Sequence, residues 1–489
     1  MNKKNRLAQK YVDHPILSIS YPYLVLLVGL MLLHLFCITK VELAQLVSLL
    51  ETFVVVFFIL RKKLPQAVLL FGVFILTSYD NDFFFAEPVG VDRLYNVSFL
   101  PIVSSYFYLF LSFLLFALSL HKIIKYKMKF DNILIRFAIF SIATQIIMAF
   151  PTIFVDGFSL FSITRDIKLN IVPCLWAIIF FFLCSNEKFV SKYEKLIIHI
   201  LFAYIIAGII TVSFNFYLVR GPRATLLYLP LASFFSTSII LFLYKFKRKL
   251  DKIFIEIMFG FSVVFQLLLD NCLGGKSWFV FVSVIIVGLY LYFRKIAHGV
   301  AVKIISIVVV LSASIVLSPK IVSYVNNSEN GKLFEFISLF EGAQSGDLDD
   351  VDASAQFRFL EFITISDYYR SHPQFLLLGK GLGGGVPNSG FFVYSETAFS
   401  DDQYSRNNFS VMHESINVIY LKTGLVGLVF LVIVLFSGFK RIKYEPLFYI
   451  GCVWMFFYWA YSLNLLFIGL PAFVIAYKKW TISTNSIYT

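Results

Sequence analysis

Arg220 and Arg223 flank a Gly-Pro pair in a short turn between two apolar runs. Lys276 follows Gly274-Gly275 at the start of another apolar run, and Arg358 sits in a long polar stretch from Pro319 to Ser415. That stretch closes with Gly379-Lys380-Gly381-Leu382-Gly383-Gly384-Gly385 and then Met412-His413-Glu414-Ser415, at the mouth of an apolar helix. Guanidinium forks match phosphate oxygens two at a time, and an ammonium supplies a compact charge. A His near neutrality, or a partly buried Glu, can take a proton from a hydroxyl. Cations beside a proton acceptor suit a reaction in which a phosphate group leaves and a hydroxyl attacks. The same residues have plainer uses, since Lys and Arg snorkel to lipid headgroups and a His at a helix entrance serves as a polar anchor. Gly379, Gly381 and Gly383 lack the Gly-Lys-Ser/Thr ending of a nucleotide-gripping loop, so flexible backbone beside an extended ligand is the expected use. Asp347, Asp349, Asp350 and Asp352 fit a calcium loop only in part and read as a solvated acidic turn, so no metal is expected.

The elements that must position these side chains are membrane spans. The chain has 489 residues, 59% hydrophobic and 15% charged, with mean hydropathy +0.81. A soluble chain of this size has nowhere to hide so much apolar surface. Apolar runs of ~14 to 22 residues recur about fourteen times, which predicts an all-α polytopic membrane protein. The expected organisation is spans over residues 1–318, an extracytoplasmic cap over 319–415, and the last spans with a tail over 416–489. Segments 80–98 and 151–170 read as moderate outer loops. The run 171–185 reads as a short span. With the N-terminus in the cytoplasm, every inner loop is basic and holds in total about 26 of the 42 Lys and Arg. The net charge of +13 is thereby explained by topology, and nucleic acid is not an expected partner. The C-terminus also falls in the cytoplasm, and the run from Tyr21 to Thr39 reads as a span rather than a cleavable signal. Within the cap, Phe357, Leu360, Phe362, Ile365 and Tyr368 predict an amphipathic helix opposite Arg358, Glu361 and Asp367. Five scattered cysteines have no metal-ligand or disulfide spacing.

The order of features resembles a known family. Arg358 at a helix start, Pro373, Gly379-x-Gly381-x-Gly383, His413, and a helix with Gly424-Leu425-x-Gly427 are similar to the O-antigen ligase and Wzy-type polymerase superfamily of bacterial inner-membrane proteins. The Arg220–Arg223 turn fits the same pattern, and the likeness covers roughly residues 200–440. It implies a GT-C-like helical bundle and a metal-independent glycosyltransferase without cofactors. The substrates would be undecaprenyl-diphosphate-linked glycans, handled on the periplasmic face of the inner (cytoplasmic) membrane. Arg220, Arg223, Lys276 and Arg358 would bind the diphosphate, and the acceptor hydroxyl would be deprotonated by His413 or Glu414. Relatives carry Ser-Arg where this chain has Lys276, and many have Asn in place of Glu414. A Wzy-type polymerase, served by membrane lipids and a chain-length regulator of Wzz type, is the expected function. The alternatives are an O-antigen ligase acting on the lipid A core and a polysaccharide flippase.

Overall fold

The computed structural model describes residues 20–39, 41–78, 104–128, 132–213, 353–388, 407–410, 412, 414–442, 444–457, 459 and 463–488. Every regular element among them is helical; one isolated antiparallel bridge joins Val386 to Phe409. The helices are α1 (Tyr21–Thr39), α2 (Val41–Leu60), α3 (Leu64–Thr77), α4 (Ser104–Lys125), α5 (Ile133–Asp156), α6 (Leu160–Asp166), α7 (Val172–Leu183), α8 (Glu187–Ser213), α9 (Ala353–Ser371), α10 (Ser415–Phe439), α11 (Leu447–Phe457) and α12 (Leu463–Tyr488). A π-helical turn, Ile167–Ile171, joins α6 to α7. The chain divides into two compact units, Met1–Tyr21 with Leu201–Gln356 and Pro22–Ile200 with Phe357–Thr489. The described part of the first unit is residues 20–21, 201–213 and 353–356. Everything below concerns the second.

Four helices among the described residues are long and apolar enough to cross a membrane: Ile133–Asp156, Ser162–Leu183, Ser415–Phe439 and Leu465–Ile482. Their outer faces agree with an acyl-chain solvent. On α5, Ile139, Ile146, Ile147, Phe150 and Phe154 are exposed, and on α10 so are Val429, Val432, Ile433 and Phe436. Spaced at three and four residues, these side chains form continuous apolar stripes that water would not tolerate. The architecture is that of an all-α membrane protein. Of the other expected runs, those at 22–39, 43–60, 66–79, 99–120, 196–217 and 447–463 overlap α1, α2, α3, α4, α8 and α11, while those at 225–244, 253–272, 277–293 and 300–318, and residues 319–352 and 389–406 of the expected cap, lie outside the described residues.

Inside, α5 and α4 pack on α7, α12 packs on α7, α3 and α11, and α10 packs on α5 and α11. Trp176 is the hub, fully buried, stacked on Phe71 at 5.6 Å and edge-on to Phe467 at 4.6 Å. Its indole N–H donates to Ser112 Oγ at 3.0 Å, so the one polar atom of the ring is satisfied. Gly72 exists for the same packing, since a Cβ there would stand 2.8 Å from the Tyr193 hydroxyl. At one end of these helices the cations gather: Lys479 pairs with Glu194, Arg441 lies over Trp480 at 4.0 Å and Lys122 over Phe182 at 5.8 Å.

One expectation is overturned by the helix boundaries. Residues 151–170 are not an outer loop: α5 continues through Pro151 to Asp156, and helix resumes at Leu160. The polar residues that interrupt the apolar pattern there, Asp156 and Asp166, are paired inside the protein. The expected short span 171–185 is the second half of a longer helical stretch. Pro173 explains its π-turn, because proline cannot donate to the carbonyl one turn back; the helix widens and Val172 N–H bonds Ile167 O instead.

Candidate functional site

The end of the bundle opposite the clustered cations is organised by a break in α10. Gly424 adopts φ 66°, ψ −163°, a conformation essentially confined to glycine, and splits the helix ~13 Å along from Ser415. In an apolar surrounding the freed backbone groups need partners. The loop after α9 supplies them. Leu425 N–H donates to Leu376 O at 3.0 Å and Val426 N–H to Leu377 O at 3.1 Å. In return Lys380 N–H donates to Leu421 O at 2.8 Å and Gly381 N–H to Lys422 O at 3.2 Å. The Tyr369 hydroxyl adds a bond to Leu421 O at 2.8 Å.

That closeness is what the glycines are for. Gly379 and Gly381 sit at φ 72° and 65°, and a Cβ on either would stand 2.5 Å from Thr423 N or 2.6 Å from Gln145 O. Their expected role as mobile backbone beside a ligand is therefore corrected: the run, including Gly383 at φ 79°, is wedged between α5, α6 and α10. Leu382 N–H donates to Gln145 O at 3.1 Å, and the Thr152 hydroxyl donates to Lys380 O.

Two lysines lock the wedge. The Lys380 ammonium reaches both oxygens of Asp156 at 2.6 and 2.8 Å, the Tyr368 hydroxyl at 2.9 Å and Gly385 O at 2.6 Å. It also lies 4.2 Å from the Tyr368 ring centroid. Lys422, one turn into the bundle, reaches Asp166 at 2.5 Å and Gly384 O at 2.6 Å, while Gly383 N–H donates to the same carboxylate at 2.7 Å. Both lysine side chains are 1% exposed. Burial pulls the Lys380 ammonium from 10.5 down to about 8, against Asp156, whose charge and hydrogen bond favour the cation. Burial, and then the Asp156 carboxylate, pushes the Tyr368 phenol up to about 12.

Alongside, α9 follows the first half of α10. Arg358 pairs with Glu414 at 3.0 Å, and Asn417 donates to Glu361 at 2.8 Å and to the Arg358 carbonyl at 2.9 Å. Phe362 stacks on Tyr420 at 5.0 Å. The amphipathic reading of α9 needs correction here. Glu361 is fully buried rather than solvated, and the apolar Phe359 is exposed. The pattern misled because the buried face contains a polar pair. Of the residues singled out for chemistry, Arg358 and Glu414 are thus brought together, partly open at 28% and 20% side-chain exposure. Arg220, Arg223, Lys276 and His413 lie outside the described residues.

Sequence reasoning passed over Asp156, Asp166, Lys380 and Lys422. A signal was present, since a lysine inside an apolar run demands a partner within the protein. Lys422 could have been marked on that ground; its partner could not, because Asp166 lies in a different helix. Neither a known protein family, nor a curated protein, nor a solved structure matches the chain.

Proposed function

We propose that this chain polymerises undecaprenyl-diphosphate-linked oligosaccharide repeat units, as a metal-independent glycosyltransferase of the bacterial inner membrane. The observation that carries this is the Arg358–Glu414 pair at the entrance of the broken helix α10. It sets a guanidinium, part-open to solvent, next to the residue that follows His413 in sequence. Arg358, with Arg220, Arg223 and Lys276, would meet the charge that develops on the diphosphate as the anomeric carbon–oxygen bond breaks. The new bond forms to a hydroxyl at the non-reducing end of the incoming repeat unit. Its proton passes to His413, with Glu414 engaged as the anchor of Arg358. The clustered Lys122, Arg441 and Lys479 support a cytoplasmic position for that end of the bundle by the positive-inside rule, with the glycine wedge toward the periplasm in this reading. Membrane lipids surround the bundle, and a chain-length regulator of Wzz type is the proposed protein partner.

A second reading is favoured by the break at Gly424, since discontinuous helices with buried charges also serve transporters. In transporters the half-helix ends face substrate, whereas here the loop at Leu376 to Gly381 occupies them. That favours the enzyme over a flippase.

Deleting the gene and separating the surface glycan on a gel tests the proposal. A single repeat on the lipid core, restored to a ladder by the wild-type gene, supports polymerisation. Carrier-linked polymer that never reaches the core indicates a ligase, and an unchanged glycan refutes both.

A further inference from the structure

Arg165 belongs to neither the glycine wedge nor the residues singled out from the sequence. It stands beside Asp166 in the last turn of α6, and its guanidinium donates to the Ser410 hydroxyl. Ser410 lies in the run that leads into α10, next to Phe409, whose backbone pairs in both directions with Val386 at 2.9 and 3.1 Å. Asn388 N–H donates to the Asn407 side chain at 2.8 Å on the same neck. Four residues further on, Glu414 is held by Arg358 from α9. The run is thus gripped at both ends by guanidiniums from two separate helices, and even a fully extended chain spans no more than ~14 Å between the grips.

We infer that Arg165 is a positioning residue: through Ser410 it fixes the run entering α10, and so sets where the Arg358–Glu414 pair stands. The inference uses the proposed reaction only for its kinetic readout. Several features favour positioning over bulk stability. Arg165 is anchored on a helix that Asp166 already ties to Lys422 and to Gly383, so its base is rigid. The residue it holds, Ser410, is buried, and the neighbouring Phe409 is bridged to Val386, next to the end of the glycine wedge. One side-chain hydrogen bond therefore completes a clamp whose other parts are the backbone bridge at Val386 and the Arg358–Glu414 pair. Without it the run keeps its neck at Val386 and its anchor at Glu414, and loses the tie that sets the distance between them.

The experiment uses the full-length chain in lipid nanodiscs. Hydrogen exchange over residues 407–414 is compared for wild type, Arg165→Gln, Arg165→Lys and Ser410→Ala. Arg165→Gln and Ser410→Ala should each speed exchange there about tenfold, the double variant no more than either alone, and Arg165→Lys should recover most of the protection. In turnover of a polyprenyl-diphosphate-linked repeat unit, Arg165→Gln should lower kcat about tenfold with KM within about twofold. Unchanged exchange in Arg165→Gln overturns the inference, and so does a matching loss of protection throughout the bundle. If wild type shows no turnover, the proposed function fails while the exchange result still decides the role of Arg165.

Discussion

Replacing Gly424 with alanine tests the broken helix most severely. At φ 66°, ψ −163° an L side chain is strained by about 1–3 kcal/mol before any contact is considered. The new Cβ would also stand 2.4 Å from Leu377 O and 2.5 Å from Gly379 N, both backbone atoms unable to swing aside. The alternative is for α10 to straighten, which returns Leu425 and Val426 to intrahelical partners. The loop then loses its bonds at Leu376 O, Leu377 O, Lys380 N and Gly381 N. At about 1 kcal/mol each, and more for any group left buried without a partner, that route costs about 4 kcal/mol. Either way Gly424→Ala should destabilise by about 3 kcal/mol or more. Denaturant unfolding of the detergent-solubilised chain, followed by tryptophan fluorescence, reads the loss as an earlier midpoint. Gly29→Ala is the control, because a Cβ there meets nothing within 4 Å, and alanine favours helix. A Gly424→Ala midpoint equal to wild type would refute the loop-for-helix exchange.

Lys422→Met leaves the Asp166 carboxylate buried without its cation and should cost about 3–5 kcal/mol, whereas Lys422→Met with Asp166→Leu should recover much of it; equal losses in single and double variants would contradict the pairing. The Lys380 proton gives a pH test. The folded group titrates at about 8 against an ordinary 10.5, so between those values the unfolded chain binds more protons and stability contributed by this residue rises with pH. The melting midpoint of wild type relative to Lys380→Met should therefore climb from about pH 8 to about 10.5, and a flat or falling difference would be inconsistent. Orientation follows from labelling in a cysteine-free background. A membrane-impermeant maleimide should reach Phe158→Cys in intact cells and Tyr444→Cys only after permeabilisation, both sites being exposed, and the reverse would invert the topology.

Much of the fold was legible because acyl-facing residues declare themselves by spacing. α10 and α12 begin within a residue or so of the apolar runs that announce them, and α9 emerges where Ile365 and its neighbours recur at helical intervals. The miss at residues 151–170 has a physical cause. Asp156, Gly157, Arg165 and Asp166 look like loop when composition alone is read, but their partners, Lys380, Ser410 and Lys422, come from far along the chain. The glycine run was visible as a special backbone without its use being visible. Its positive-φ turns are compatible with holding a ligand or with docking on another helix, and the break at Gly424 that selects docking is a tertiary fact. The Arg358–Glu414 pair was half legible: both residues stood out, but their contact depends on α9 lying along α10.

Purified chain in nanodiscs, given a polyprenyl-diphosphate-linked repeat unit and analysed by mass spectrometry, tests the proposed polymerisation directly. The result expected is a ladder of lipid-linked products spaced by one repeat, unaffected by chelators and lost in Arg358→Gln. Unextended substrate with wild-type protein, or a ladder that survives Arg358→Gln undiminished, would contradict it.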